Sequence, residues 1–159
     1  MEWPARFYER KRGVGCPICD EGRPDENAHG VRFFAGELTD ALLNRAGIQR
    51  GFAQVYFRAR HVVEPTELTP EESLGFWNEL LTVGRLLEQV FEPVKLNYQL
   101  LGNSVPHLHA HVIPRYADDP RPEWPFPFPD PDPPPFPADQ LRADAELLNA
   151  AAREPRPER

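Results

Sequence analysis

VPHLHAHVIPRY, residues 105–116, places three of the chain's five histidines at alternate positions: His107, His109 and His111. A period of two is the period of a strand, where alternate side chains project to one face about 6.5–7 Å apart. The three imidazoles therefore share a face, and Leu108, Ala110 and Val112 take the other and can pack beneath a helix. On a helix, steps of about 100° per residue would scatter the rings. Such a row suits two chemistries. Imidazoles at this spacing can share a metal ion, which would make a metalloenzyme whose metal site is the row itself. Alternatively, a neutral imidazole is a good nucleophile toward phosphorus, and a pKa near 6.5 keeps it largely neutral at pH 7. The metal reading calls for a carboxylate close behind the pair, and the next Glu is Glu123, beyond Pro114. The nucleophile reading is helped by the preceding loop, Gly102-Asn103-Ser104, whose N–H and O–H groups can hold phosphate oxygens.

Working outward, the clearest helix lies upstream. Thr69 is an N-cap, Pro70 fits the first helical position, and Glu72 completes a capping box. Leu74, Trp77, Leu80, Leu81, Leu87, Val90 and Phe91 follow helical spacing to Pro93, predicting a helix over 70–92 with a core-facing stripe. Gly84 on that face permits close approach to a sheet. Strands are predicted over 31–38, 40–46, 51–63 and 94–101. The third alternates most plainly, Ala53, Val55 and Phe57 against Gln54, Tyr56 and Arg58. With the histidine strand this makes an α+β domain: an antiparallel sheet of about five strands covered by one long helix.

Composition narrows the class. The formal net charge is −7, which speaks against a general nucleic-acid binder and leaves a small anionic ligand open. No apolar run approaches the ~20 residues needed to span a membrane, and MEWPARFYERKRGVGCPIC lacks a secretory apolar stretch. A cytoplasmic protein is expected. The only cysteines, Cys16 and Cys19, have the spacing of half a tetrahedral zinc site; a redox pair or two unbound thiols are the other readings. From 117 to 137 the chain holds ten of its twenty prolines, interleaved with Trp124, Phe126, Phe128 and Phe136. Proline at this density excludes helix and central strand and predicts a polyproline-like arm that docks on its own domain or on a second subunit, with a partner-binding motif or a disordered segment as the other readings. A short helix over 138–152 follows, so the chain divides into a catalytic domain with an N-terminal zinc-binding segment, 1–116, and the arm with its helix, 117–159.

GNSVPHLHAHVIPR resembles the signature of the histidine triad (HIT) nucleotide hydrolases, His-apolar-His-apolar-His and two apolar residues: His107-Leu108-His109-Ala110-His111-Val112-Ile113. The likeness runs over roughly 14–116 and includes the hairpin 42–62 and the long helix. It implies hydrolysis of a nucleoside phosphate bond in a dinucleoside polyphosphate, a nucleoside phosphoramidate or an adenylylated compound. His109 would attack the α-phosphorus to form a nucleotidyl-histidine, and His111 would hydrogen-bond a phosphate oxygen. Asn103 and Ser104 would orient the phosphate or assist the leaving group; Asn103 stands where most members have the longer Gln. Asn44 would contact the ribose and Asn97 would lie beside the phosphate. Zinc-containing members imply a structural Zn site of Cys16, Cys19, His61 and His107, with His29 a competing fourth ligand. The resemblance also implies a homodimer. A nucleotide-binding sensor or scaffold on the same fold, with the proline arm as its partner site, is the non-enzymatic alternative.

Overall fold

The structure is a computed structural model that describes residues 2–124 and 134–153. Five strands form one antiparallel sheet: β1 (Gly30–Ala35), β2 (Thr39–Asn44), β3 (Ala53–Phe57), β4 (Lys95–Gln99) and β5 (His109–Arg115). Their spatial order is β1-β2-β3-β5-β4, so the histidine strand lies inside the sheet, with β3 and β4 as neighbours. Two short helices precede the sheet, α1 (Ala5–Lys11) and α2 (Pro17–Asp20). The long helix α3 (Pro70–Phe91) lies between β3 and β4 in sequence, and α4 (Ala138–Ala151) closes the chain.

The expected α+β sheet with one long helix is the observed architecture. Ala41, Leu43, Ala53, Val55, Phe57, Ala110 and Val112 project to one face and meet α3 in a single core. The capping box at Thr69 and Glu72 forms as the sequence predicts. At the other end Glu92 takes the left-handed conformation (φ 48°) and stops α3 before Pro93. Gly84 does allow close approach: a Cβ there would run into the Tyr98 hydroxyl on β4.

Three details depart from the sequence reading. First, the buried face of α3 is built on Phe76, Leu80, Val83, Gly84, Leu86 and Leu87. Leu74, Trp77 and Leu81, expected in the core stripe, are 66%, 41% and 45% exposed. Second, the run 51–63 contributes only β3, because the chain leaves the ladder after Phe57 and carries His61 off the sheet. The departing segment is tied to the arriving one by Phe57 N–H to Leu108 O (3.0 Å) and Leu108 N–H to Val62 O (2.6 Å). Third, β5 begins at His109, so His107 sits just ahead of the strand rather than in it.

Phe136 and α4 pack on their own chain. Leu141, Ala145 and Leu148 of α4 enter the same core as α3, with Phe136 against it. The Phe136 N–H donates to Arg45 O (2.9 Å), and Arg50 pairs with the buried Asp144 (2.6 Å). Trp124 is 63% exposed, while Phe126 and Phe128 lie outside the described residues. No described helix is long and apolar enough to cross a membrane.

Candidate active site and adjoining metal site

The face of the sheet opposite α3 carries the histidines. Register pairs His109 with Tyr56 and His111 with both Gln54 and Gln99, all on that face. The His109 and His111 ring centroids are 5.1 Å apart. Tyr56 lies 5.8 Å from the His109 ring, and Phe52 lies 5.6 Å from that of His111.

His109 Nδ1 sits 2.6 Å from His107 O. A carbonyl can only accept, so Nδ1 carries the proton and Nε2 keeps a lone pair. Burial lowers the His109 pKa, with the hydrogen bond to His107 O acting in the opposite sense. Burial, with His109 alongside, pushes His111 down to about 4. Both rings are therefore neutral at pH 7. A neutral imidazole fixed in one tautomer is a nucleophile at its free nitrogen. Its neutral neighbour, His111, has one N–H to donate.

His107 faces another way. Its Nε2 lies 2.7 Å from Phe57 O, so Nε2–H donates and Nδ1 holds the lone pair. Nδ1 is 3.5 Å from Cys16 Sγ and 3.4 Å from Cys19 Sγ. His61 repeats the pattern, with Nε2 3.3 Å from Lys11 O and Nδ1 3.4 Å from Cys19 Sγ. The ligand atoms of these four residues all lie within 4.8 Å of one another. Zinc at its usual distances from sulfur and imidazole nitrogen, at a tetrahedral angle, would separate S and N by about 3.6 Å. The donor set and its spacing fit that ion. Burial lowers the His107 pKa to about 4, which keeps the ring in its ligating form. Burial and the adjacent Cys16 raise Cys19 to about 11, so two thiolates need a cation between them. This is the one cluster of ligand-type side chains found among the described residues. Of the row only His107 joins it, and His29 is exposed at the edge of β1 and does not.

The remaining expected residues divide. Asn44 ends β2 on the site face, where Nδ2 donates to Gln54 Oε1 (2.7 Å) and Oδ1 accepts from Ala46 N–H (2.7 Å). Asn97 lies on the same face of β4, opposite Ile113, with its Oδ1 taken by Arg115 Nη1 (2.7 Å). Asn103 and Ser104 are exposed in the loop before His107, in the turn that Gly102 makes possible (φ 71°).

Sequence reading passed over Gln54, Tyr56 and Arg115. The signal for the first two was present: they are the polar half of the alternation over 53–58. The Tyr56 hydroxyl donates to Gln54 Oε1 (2.7 Å), and burial raises its pKa to about 12. Arg115 continues the His109, His111, Ile113 face. It is buried with Asp119 (2.5 Å) and donates to Arg121 O (2.7 Å) and Trp124 O (2.5 Å), pinning the start of the arm. Another buried carboxylate, Asp40, is held by Arg23 (2.6 Å) and Arg58 (3.3 Å), and Arg58 Nη1 also donates to Ile18 O (2.6 Å), which connects α2 to the sheet.

The chain is similar to several known proteins. Bis(5'-adenosyl)-triphosphatase of Saccharomyces cerevisiae is 30% identical over 89 residues, covering 53% of this chain and 43% of the yeast protein. Asymmetrical bis(5'-nucleosyl)-tetraphosphatase of Schizosaccharomyces pombe is 30% identical over 92 residues, covering 55% of this chain and 50% of that one. The chain thus spans half or less of the length of these relatives. Among solved structures, a histidine triad protein of Sinorhizobium meliloti superposes with a TM-score of 0.64 at 27% identity, covering 76% of this chain and 87% of that one. A Zn-bound histidine triad family protein of Mycobacterium smegmatis superposes at 0.62 with 23% identity, over 87% of this chain and 93% of that one. The HIT domain profile matches residues 26–118, and this chain belongs to the HIT domain family.

Proposed function

We propose that this protein is a nucleotide hydrolase that works through a nucleotidyl-histidine on His109. The observation that carries the reading is the His107 O···His109 Nδ1 hydrogen bond, which leaves Nε2 as a neutral nucleophile. Nε2 attacks the α-phosphorus; the N–P bond forms as the bond to the leaving phosphate, amine or acyl oxygen breaks, and the leaving group takes up a proton. Water then attacks the same phosphorus. The N–P bond breaks, a nucleoside monophosphate leaves, and the water proton goes to solvent. His111 donates to a phosphate oxygen, and the Asn103–Ser104 loop orients the phosphate or assists the leaving group. The activities named for the yeast relatives make dinucleoside polyphosphates the first substrates to try.

Cys16, Cys19, His61 and His107 hold a structural Zn ion in this reading, and the ion named for the Mycobacterium smegmatis protein is in keeping with it. Zinc supplies charge to keep both thiols ionised and ties α2 to the segment that enters β5. The protein works as a cytoplasmic homodimer. Support for a second copy comes from β4, an edge strand, and from the exposed Leu74, Trp77 and Leu81 of α3.

The test is a panel of labelled dinucleoside polyphosphates and nucleoside phosphoramidates, with acid-avoiding quench and mass spectrometry of the protein. The expected result is a burst of leaving group and one nucleotidyl group on His109. Full activity of His109→Ala on every compound the wild type cleaves would refute the mechanism. Nucleotide that binds and stays intact would make the protein a sensor instead.

A further inference from the structure

Hydrogen-bond direction on the site face can be traced from a donor of known identity. The Ala46 backbone N–H lies 2.7 Å from the Asn44 side-chain amide. A backbone N–H only donates, so Oδ1 is the Asn44 atom facing it and Nδ2 is turned away. Nδ2 in turn lies 2.7 Å from the Gln54 amide, where the facing atom must accept and is therefore Oε1. The Tyr56 hydroxyl reaches that same oxygen at 2.7 Å. Two donors on Oε1 fix the orientation of an amide that would otherwise be free to flip. Nε2 is left pointing away from both, with no hydrogen-bond partner among the described residues. Gln54 is only partly buried and is the register partner of His111 on β5. Opposed residues on one sheet face have Cβ atoms about 4.5–5.5 Å apart, so the Gln54 side chain that carries this donor is the cross-strand neighbour of His111.

We propose that Gln54 Nε2 donates to a phosphate oxygen of a nucleoside phosphate bound at His109 and His111, and that Asn44 and Tyr56 are positioning residues that fix which end of the amide meets the ligand. The inference rests on the nucleotide reading above. It gives Asn44 a different task from the ribose contact that resemblance implies, since its oxygen and one N–H are engaged within the protein. It also places a second amide donor in a site whose loop residue, Asn103, is shorter than the usual Gln.

The experiment is an NMR titration of 15N-labelled full-length protein with AMP and, separately, adenosine. Wild type, Gln54→Met, Gln54→Glu and Asn44→Asp are compared, with the backbone spectrum reporting the fold. In the wild type, AMP shifts the Gln54 side-chain NH2 resonances, a readout that depends on no variant folding. Gln54→Met weakens AMP severalfold, and Gln54→Glu, which sets a carboxylate against phosphate, weakens it at least about tenfold, with adenosine changed by less than about twofold. Asn44→Asp leaves Gln54 in place but offers it an acceptor. The Gln54 amide then turns round, and AMP weakens about as much as with Gln54→Met. AMP binding that leaves the Gln54 NH2 unshifted overturns the proposal, as does wild-type AMP affinity in the Gln54 variants. So does an equal loss of AMP and adenosine, and unchanged AMP affinity in Asn44→Asp removes the positioning role. A wild-type protein that binds no AMP fails the nucleotide reading itself, a result distinct from all of these.

Discussion

Arg115→Met tests whether the start of the arm is held by a single buried cation. The Arg115 side chain is 7% exposed and that of Asp119 is 1% exposed, with Nε and Oδ2 2.5 Å apart. The same guanidinium reaches Asn97 Oδ1, Trp124 O and Arg121 O at 2.5–2.7 Å. Methionine keeps most of the volume and removes every donor. Asp119 then remains a buried carboxylate with only the Arg121 N–H on Oδ1 (2.8 Å). Removing one partner of a buried ion pair costs about 3–5 kcal/mol, whereas replacing both by apolar residues comes close to neutral. Urea denaturation at pH 7 is therefore expected to show a loss of about 3–5 kcal/mol for Arg115→Met, with most of it recovered in Arg115→Met/Asp119→Leu. The pH dependence has opposite signs in the two proteins. In the wild type the guanidinium holds Asp119 below the usual carboxylate range, so its stabilisation is present above about pH 4 and is lost as pH falls through the lower folded value. In Arg115→Met burial favours the neutral acid, and stability rises as pH is lowered from 7 toward about 4–5. A single-variant cost under about 1 kcal/mol, or a double variant no better than the single, would refute the reasoning.

Three further outcomes are expected. Metal analysis should find about one zinc per chain in the wild type and in His109→Ala, and none in Cys16→Ser; zinc lost with His109→Ala would return the metal to the histidine row. Because burial lowers His109 and brings His111 to about 4, the acid limb of kcat/KM should lie below the ordinary histidine value of about 6.5, with zinc content checked at each pH. A limb near 6.5 would mean that at least one of the two rings is not desolvated in the working enzyme. Gly84→Ala should cost about 1–3 kcal/mol in thermal melts because its methyl group meets the Tyr98 hydroxyl, and Tyr98→Phe should recover part of the loss; a neutral Gly84→Ala would show that helix and strand are not so closely packed.

Local periodicity carried much of the fold. The shared face of His109 and His111, the alternation over 53–57 and the cap at Thr69 each follow from spacing alone, and each forms, whereas His107 lies ahead of β5 and faces away from the other two. Periodicity failed where apolar residues exceed what one face can bury. Leu74, Trp77 and Leu81 have core-like chemistry, but the sheet selects Phe76, Leu80, Val83 and Leu87. Contacts made by tertiary approach were harder to read. His29 is ten residues from Cys19 in sequence and His61 is 42 away, yet His61 meets its sulfur. Arg115 reads as one more surface arginine until the arm that covers it is in place.

The alternation that reveals the row also conceals how it is divided. A strand of ideal geometry would point His107, His109 and His111 at one ligand. The chain avoids this by starting β5 at His109, so that His107 falls where the backbone is turning in from the loop. From there its side chain reaches the thiols of α2, and its carbonyl still reaches His109 Nδ1 (2.6 Å). One residue thus joins two centres through different atoms. Nδ1 faces the metal ligands, Nε2–H is held by Phe57 O, and the peptide oxygen sets the tautomer of its neighbour two positions on. The ring and the carbonyl are rigidly related through the backbone, so anything that moves the ring off the thiols also moves the acceptor that holds His109. An ion held by these four ligands would bear on the proposed nucleophile through the placement of a hydrogen-bond acceptor and not through charge at the reacting phosphorus.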